Sequence, residues 1–260
     1  MERQLANQVC VVTGASTGIG RATALQLAEQ GADLVVHARR PSENLQDVVN
    51  RVSAMGRQCA TVFSDFGKLP DFESLVKDAW KPFGRVDHWI NNAGGDVLTG
   101  PMSEKSFPEK LSYLWQADVV SSLMLSRLVG KWMTQEAGAA SENGFTILNL
   151  GWDQAERGMG GDSGEMFAAI KGAVMAFSRS LAQSLAPEVR VNCLAPGWIK
   201  TAWGEQASSA WQERAVGEAL LQRWGTPQDV ATVARFLASP AAAFVTGQVI
   251  PINGGFRYEH

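Results

Sequence analysis

The chain has 260 residues, a formal net charge of −3 and 45% hydrophobic residues. That suits one large α/β domain with a substantial core, and no Pro/Gly/Ser-rich linker or charge block divides it. Dispersed Lys and Arg give no electrostatic footprint for nucleic acid, no apolar run approaches a membrane span, and Met1-Glu-Arg-Gln lacks the apolar core of a signal peptide.

The first element is Val9–Gly20, VCVVTGASTGIG. A β-branched apolar run ends in three close glycines and opens into Arg21–Gln30, which has helical periodicity, so the stretch predicts strand, tight turn and helix. Such a turn gathers bare backbone N–H groups and the positive end of a helix at one point, where a pyrophosphate sits without meeting a Cβ. In this reading Gly14 permits the turn, Gly18 lets phosphate approach and Gly20 lets the helix pack on the strand, with Ser16, Thr17 and Ile19 completing the loop. The alternative is a glycine-rich connection between two packed elements.

The remaining elements alternate. Strand is predicted over Asp33–His37, Gln58–Phe63, Val86–Ile90, Phe145–Leu150, Val189–Leu194 and Gln248–Ile250. Helix is predicted over Glu43–Met55, Asp71–Lys81, long stretches around Phe107–Thr134, Glu165–Ala186, an insert about Trp203–Gln222, and Pro227–Leu237. Repeated βα units imply a single-domain, Rossmann-type doubly wound parallel sheet with helices on both faces and a ligand at the carboxyl ends of its strands.

Cys10, Cys59 and Cys193 sit in apolar, strand-like context without metal spacing, and His37 and His88 adjoin strands without ligand companions. They read as reduced thiols of a cytoplasmic protein and as packing or surface histidines, with no metal site.

Thr13-Gly-Ala-Ser-Thr-Gly-Ile-Gly20, Asn91-Asn-Ala-Gly94, Pro196-Gly-Trp-Ile-Lys-Thr201, Arg223–Ala231 and Thr246–Gly255 together resemble the motifs of the short-chain dehydrogenase/reductase family, over essentially the whole chain. The resemblance implies that Asn91, Ala93 and Gly94 line the adenine-ribose side of a nicotinamide cofactor and that Asp65 binds the adenine edge. It sets Pro196, Gly197, Ile199 and Thr201 at the nicotinamide, and 198–222 as a lid over a small-molecule substrate. It also implies a homodimer or homotetramer, with Ala168, Ala169, Gly172, Ala173 and Ala176 allowing close helix approach.

Cofactor choice follows from the second strand's end, His37-Ala38-Arg39-Arg40. A carboxylate there accepts from a ribose 2′-hydroxyl, whereas a 2′-phosphate needs cationic forks. Ala38 stands at the carboxylate position and Arg39 and Arg40 follow, which favours NADP(H) over NAD; the alternative is two arginines solvating a loop.

The reaction centre departs from the family. Where Tyr-x-x-x-Lys is usual, the chain has Phe167-Ala-Ala-Ile-Lys171; the serine position falls at Trp152, or with a small gap at Asp153 or Gln154; the asparagine position falls at Asp118. Lys171 alone is kept, with a role at the nicotinamide ribose. Asp153, Asp162 and Glu165 are candidate substitute acids, otherwise exposed loop carboxylates, and Tyr258 or His260 from a neighbouring subunit is another. Trp198, Trp203 and Trp211 with Trp152 and Phe167 are expected either to wall an aromatic or apolar pocket or simply to pack. Two functions remain: an NADP(H)-dependent oxidoreductase acting on a carbonyl or activated double bond, and a catalytically silent NADP(H)-binding protein.

Overall fold

A computed structural model describes residues 3–68, 70–136 and 144–257. Its strands are β1 Val9–Val12, β2 Asp33–Ala38, β3 Cys59–Phe63, β4 His88–Asn91, β5 Phe145–Leu150, β6 Val189–Pro196 and β7 Val249–Ile252. The helices are α1 Gly18–Glu29, α2 Glu43–Ala54, α3 Phe72–Trp80, α4 Phe107–Leu114, α5 Ser121–Glu136, α6 Asp162–Leu185, α7 Ala202–Gln206, α8 Ser209–Glu218 and α9 Pro227–Ala238.

All strand pairs are parallel, in the order β3-β2-β1-β4-β5-β6-β7. The sheet is wound outward in both directions from β1 and β4, so a crevice opens beyond their carboxyl ends. Central strands covered on both faces read as continuous apolar runs because each alternate side chain meets a different core. In β1, Cys10 and Val12 enter one core with Leu25, Val48 and Val230, while Val9 and Val11 enter the other with Val76, Leu125 and Leu181.

A polar seam crosses the second face beneath the crevice. Asn91 Nδ2 donates to Ser126 Oγ and Asn149 Oδ1, both at 2.9 Å, Trp89 Nε1 donates to Asn91 Oδ1 at 2.7 Å, and Asn149 Nδ2 donates to Ser178 Oγ at 2.9 Å. These bonds satisfy groups that burial would otherwise penalise and fix β4, β5, α5 and α6 in one register.

Two predicted elements differ in a way that matters. The stretch predicted around Phe107–Thr134 is interrupted by a π-helical turn, Trp115–Val120, which turns Asp118 into the protein. The predicted insert divides into α7 and α8, followed by a segment in which Leu221 N–H donates to Gly254 O at 3.0 Å and Arg257 N–H to Glu218 O at 2.9 Å. The chain's C-terminal stretch is thereby strapped along the insert. Tyr258 and His260 lie outside the described residues.

Candidate active site

The crevice begins at the turn after β1. Gly14 has φ +64° and a Cβ there would stand 2.8 Å from Ala93 Cα; a Cβ on Gly20 would stand 2.2 Å from Gly14 O. Only glycine fits both places. Around them Asn92 Nδ2 donates to Thr13 O at 2.9 Å and Gly14 O at 3.1 Å, while Thr13 Oγ1 accepts from Asn92 and Ala93 N–H at 2.9 and 3.0 Å. Thr17, the residue before α1, makes no side-chain cap, and across from Gly18 stands Thr201, whose Cγ2 is 3.6 Å from a Cβ built on that glycine. A helix start whose first N–H groups are not taken by a side-chain cap, walled by glycine, is a cradle for a phosphate.

His37 completes this cradle from below and was legible in the sequence only as a packing or surface histidine. It is 2% exposed, its Nδ1 accepts from Gly14 N–H at 3.3 Å, and its Nε2 lies 3.0 Å from Ser64 O. Those partners assign the proton to Nε2. The ring stacks on Phe66 at 4.5 Å, and burial brings its pKa down to about 4. Beyond it Ala38 is buried and Arg39 and Arg40 are exposed at the crevice's rim, neither in an ion pair among the described residues.

Asn91 is a correction. Instead of lining the adenosine side, its side chain is 3% exposed and committed to the seam below, and Asn92 is the residue whose amide holds the turn. Asp65 Oδ1 accepts Gly67 N–H at 3.1 Å and so closes its own turn. The Tyr113 ring lies over Gly67 and Gly95, within 2.6 Å of where a Cβ would be on each, and burial raises its hydroxyl's pKa. On the other side of the crevice, Pro196 ends β6 and Gly197 follows it, Ile199 is 7% exposed, and its carbonyl accepts Thr201 N–H at 2.8 Å.

The reaction centre lies where β5 ends against α6. Trp152 and Phe167 meet edge to face, ring centroids 6.3 Å apart. One helical turn beyond Phe167, Lys171 Nζ stands 2.7 Å from Asp118 Oδ2, the side chains being 16% and 3% exposed. Asp118 Oδ1 accepts Gly95 N–H at 2.6 Å, and Gly94 lies so close that a Cβ would be 2.8 Å from Oδ2. The four positions thus come together, and none of Trp152, Phe167, Asp118 and Lys171 carries a hydroxyl.

The substitute acids separate. Asp162 and Glu165 are exposed, whereas Asp153 has a side chain 4% exposed, contrary to its reading as an open loop carboxylate. Its Oδ2 accepts from Asn253 Nδ2 at 3.0 Å and Arg157 at 3.1 Å, and burial, the largest influence, raises its pKa. For the insert's tryptophans the packing alternative is the one observed. Trp198, Trp203, Trp211 and Trp224 pack on one another with centroids 5.3 to 6.3 Å apart, and no ring of the four stacks on Trp152 or Phe167 among the described residues. They form the insert's own small core, with the Arg214 guanidinium 5.0 Å from the Trp211 ring. Glu218 ties that core to the β5 loop: its Oε2 accepts Trp198 Nε1 at 2.7 Å and Gln154 Nε2 at 3.3 Å.

The family model described as enoyl-(acyl carrier protein) reductase matches residues 14–257. The chain belongs to the short-chain dehydrogenase/reductase family. Within it, the chain is 34% identical over 260 residues to a 3-oxoacyl-(acyl-carrier-protein) reductase of Synechocystis, covering 96% of this chain and 97% of that protein. Among solved members, a 3-oxoacyl-(acyl-carrier-protein) reductase from Agrobacterium tumefaciens with NADP bound matches at TM-score 0.84 and 25% identity, over 98% of this chain and 96% of that one. A 7α-hydroxysteroid dehydrogenase complexed with NADH and 7-oxo glycochenodeoxycholic acid matches at TM-score 0.83 and 28% identity, over 99% and 97%. No group of His, Cys, Asp and Glu suited to a metal ion occurs among the described residues, and no described helix is long and apolar enough to cross a membrane.

Proposed function

We propose that the protein is an NADP(H)-dependent oxidoreductase acting on a carbonyl or, preferentially, an activated double bond of a small aromatic or apolar molecule. The observation that carries this reading is the phosphate cradle of Gly14, Gly18 and Gly20, joined to Lys171 through Ala93 against Gly14 and Gly94 against Asp118. The cradle and the uncapped start of α1 hold the pyrophosphate, Arg39 and Arg40 take the 2′-phosphate at the rim, and Asp65, Ala93 and Gly94 border the adenosine. Thr201 and the Ile199 backbone hold the carboxamide, and Lys171 holds the nicotinamide ribose. NADPH bound in this way supplies a hydride.

Trp152 and Phe167 keep a flat acceptor in place, and the proton comes from water or from a noncanonical acid, for which buried Asp153 is the candidate. A positioned general acid is worth roughly 10²–10⁴ in rate, so simple ketones are turned over slowly. A conjugated alkene suffers less, because its electron pair is delocalised before protonation. Small residues along α6 and exposed Trp115 and Met124 support a homodimer or homotetramer, and the free thiols of Cys10, Cys59 and Cys193 support work in the cytoplasm.

The absence of a hydroxyl at positions 118, 152, 167 and 171 favours a second reading, a silent NADP(H)-binding protein. NADPH oxidation against a panel of ketones, quinones and enones separates the two. Enone-dependent oxidation lost in Lys171→Ala is the expected result. No oxidation with any acceptor, restored by Phe167→Tyr with Trp152→Ser and Asp118→Asn, establishes the silent protein instead.

A further inference from the structure

Lys171 and Asp118 hold charges withdrawn from water, so each is felt chiefly by the other. The pair is gripped from three elements. Lys171 projects from α6, Asp118 from the π-helical turn, and the second carboxylate oxygen takes the Gly95 N–H from the loop after β4 at 2.6 Å. Phe167 is one turn before Lys171 on the same face of α6, with Trp152 against its edge.

We infer that Asp118 is the counter-ion that cancels the Lys171 charge, so that the pocket at position 167 is electrically neutral and a proton donor placed there is not activated. This rests on the reading of Lys171 as the reaction-centre lysine and extends it: Phe167 and Asp118 form one coupled arrangement, not two separate losses. With a phenol at 167, an unpaired ammonium stabilises the phenolate. With a ring that bears no proton, a buried ammonium needs another anion, and Asp118 supplies it. The ammonium is then pinned by one N–H, leaving two for hydroxyls of a bound ligand.

The other ionisable groups around this face do not replace Asp118. Cys193 on β6 has its thiol pushed up to about 12 mainly by burial and is neutral. Asp153 after β5 is paired with Arg157, Arg179 on α6 is exposed and paired with Glu156, and Tyr113 on α4 has its hydroxyl raised by burial.

The test is a titration of the phenol introduced by Phe167→Tyr, followed by tyrosinate ultraviolet absorbance and corrected with the parent protein for Tyr113 and Tyr258. With Asp118 present the midpoint is expected at or above the ordinary value of about 10. Adding the isosteric Asp118→Asn is expected to lower it by about one unit or more, and adding Lys171→Met to that pair returns it. A midpoint near neutral with Asp118 in place overturns the inference. So does a fall of less than about half a unit on adding Asp118→Asn, or a fall that survives Lys171→Met. Turnover is not read, so a protein silent toward every acceptor leaves this result intact and defeats only the enzymatic reading.

Discussion

The crevice has two halves that have been treated differently. Along β1, β2 and β4 the backbone is packed too closely for any Cβ: Gly14 at φ +64°, Gly20 against Gly14 O, Asn92 clamping the turn and a neutral His37 beneath it. Along β5 and α6 stand two rings and an ion pair, and none of Trp152, Phe167, Asp118 and Lys171 carries a hydroxyl. Cofactor binding depends on backbone shape, which tolerates no Cβ, whereas proton transfer depends on side chains that can be exchanged without disturbing the fold. A scaffold can therefore lose or change its chemistry while its nucleotide site stays whole.

The largest effect that would sharpen this contrast is expected at the ion pair. Lys171→Met leaves Asp118 charged and 3% exposed, which costs about 3–5 kcal/mol of stability by urea denaturation. Lys171→Met with Asp118→Leu recovers most of it, and equal loss in both variants breaks the account. Next is acid. His37 and His88 both have folded pKa values near 4, lowered chiefly by burial from an ordinary value of 6.5. The unfolded chain binds more protons between those values, so stability is fully present above 6.5 and falls as pH drops toward 4, by up to about 3 kcal/mol for each histidine. His37→Gln should remove about half of that slope in denaturation series across this window.

Gly20→Ala comes third, at roughly 1–3 kcal/mol together with loss of NADPH binding in a fluorescence titration, because its Cβ meets Gly14 O. The smallest is Arg39→Ala, expected to weaken NADPH by about tenfold and leave NADH unchanged, one charge-assisted contact's worth. Equal weakening of both nucleotides would remove the 2′-phosphate argument.

The glycine turn and the alternating strands and helices were readable in the sequence, because each depends on residue type at short spacing. The sequence could not reveal what His37 or Asn92 holds, since their partners, Gly14, Ser64 and Thr13, are brought together by sheet order. The π-helical turn left no periodic signature, so Asp118 read as a lost asparagine and not as the partner of Lys171, 53 residues on. Trp198, Trp203 and Trp211 were ambiguous for a related reason: composition places indoles in the insert, but only packing shows that they face one another and leave Trp152 and Phe167 to the reaction centre.

The most direct test of a kept nucleotide half beside a replaced reaction half is titration of the unmodified protein with NADPH and with NADH, read by tryptophan fluorescence. Saturable NADPH binding at least about tenfold tighter than NADH, unchanged by Phe167→Tyr with Trp152→Ser, is the predicted result. Failure to bind either nucleotide would contradict it, because the cradle built by Gly14, Gly18 and Gly20 would then serve the fold alone.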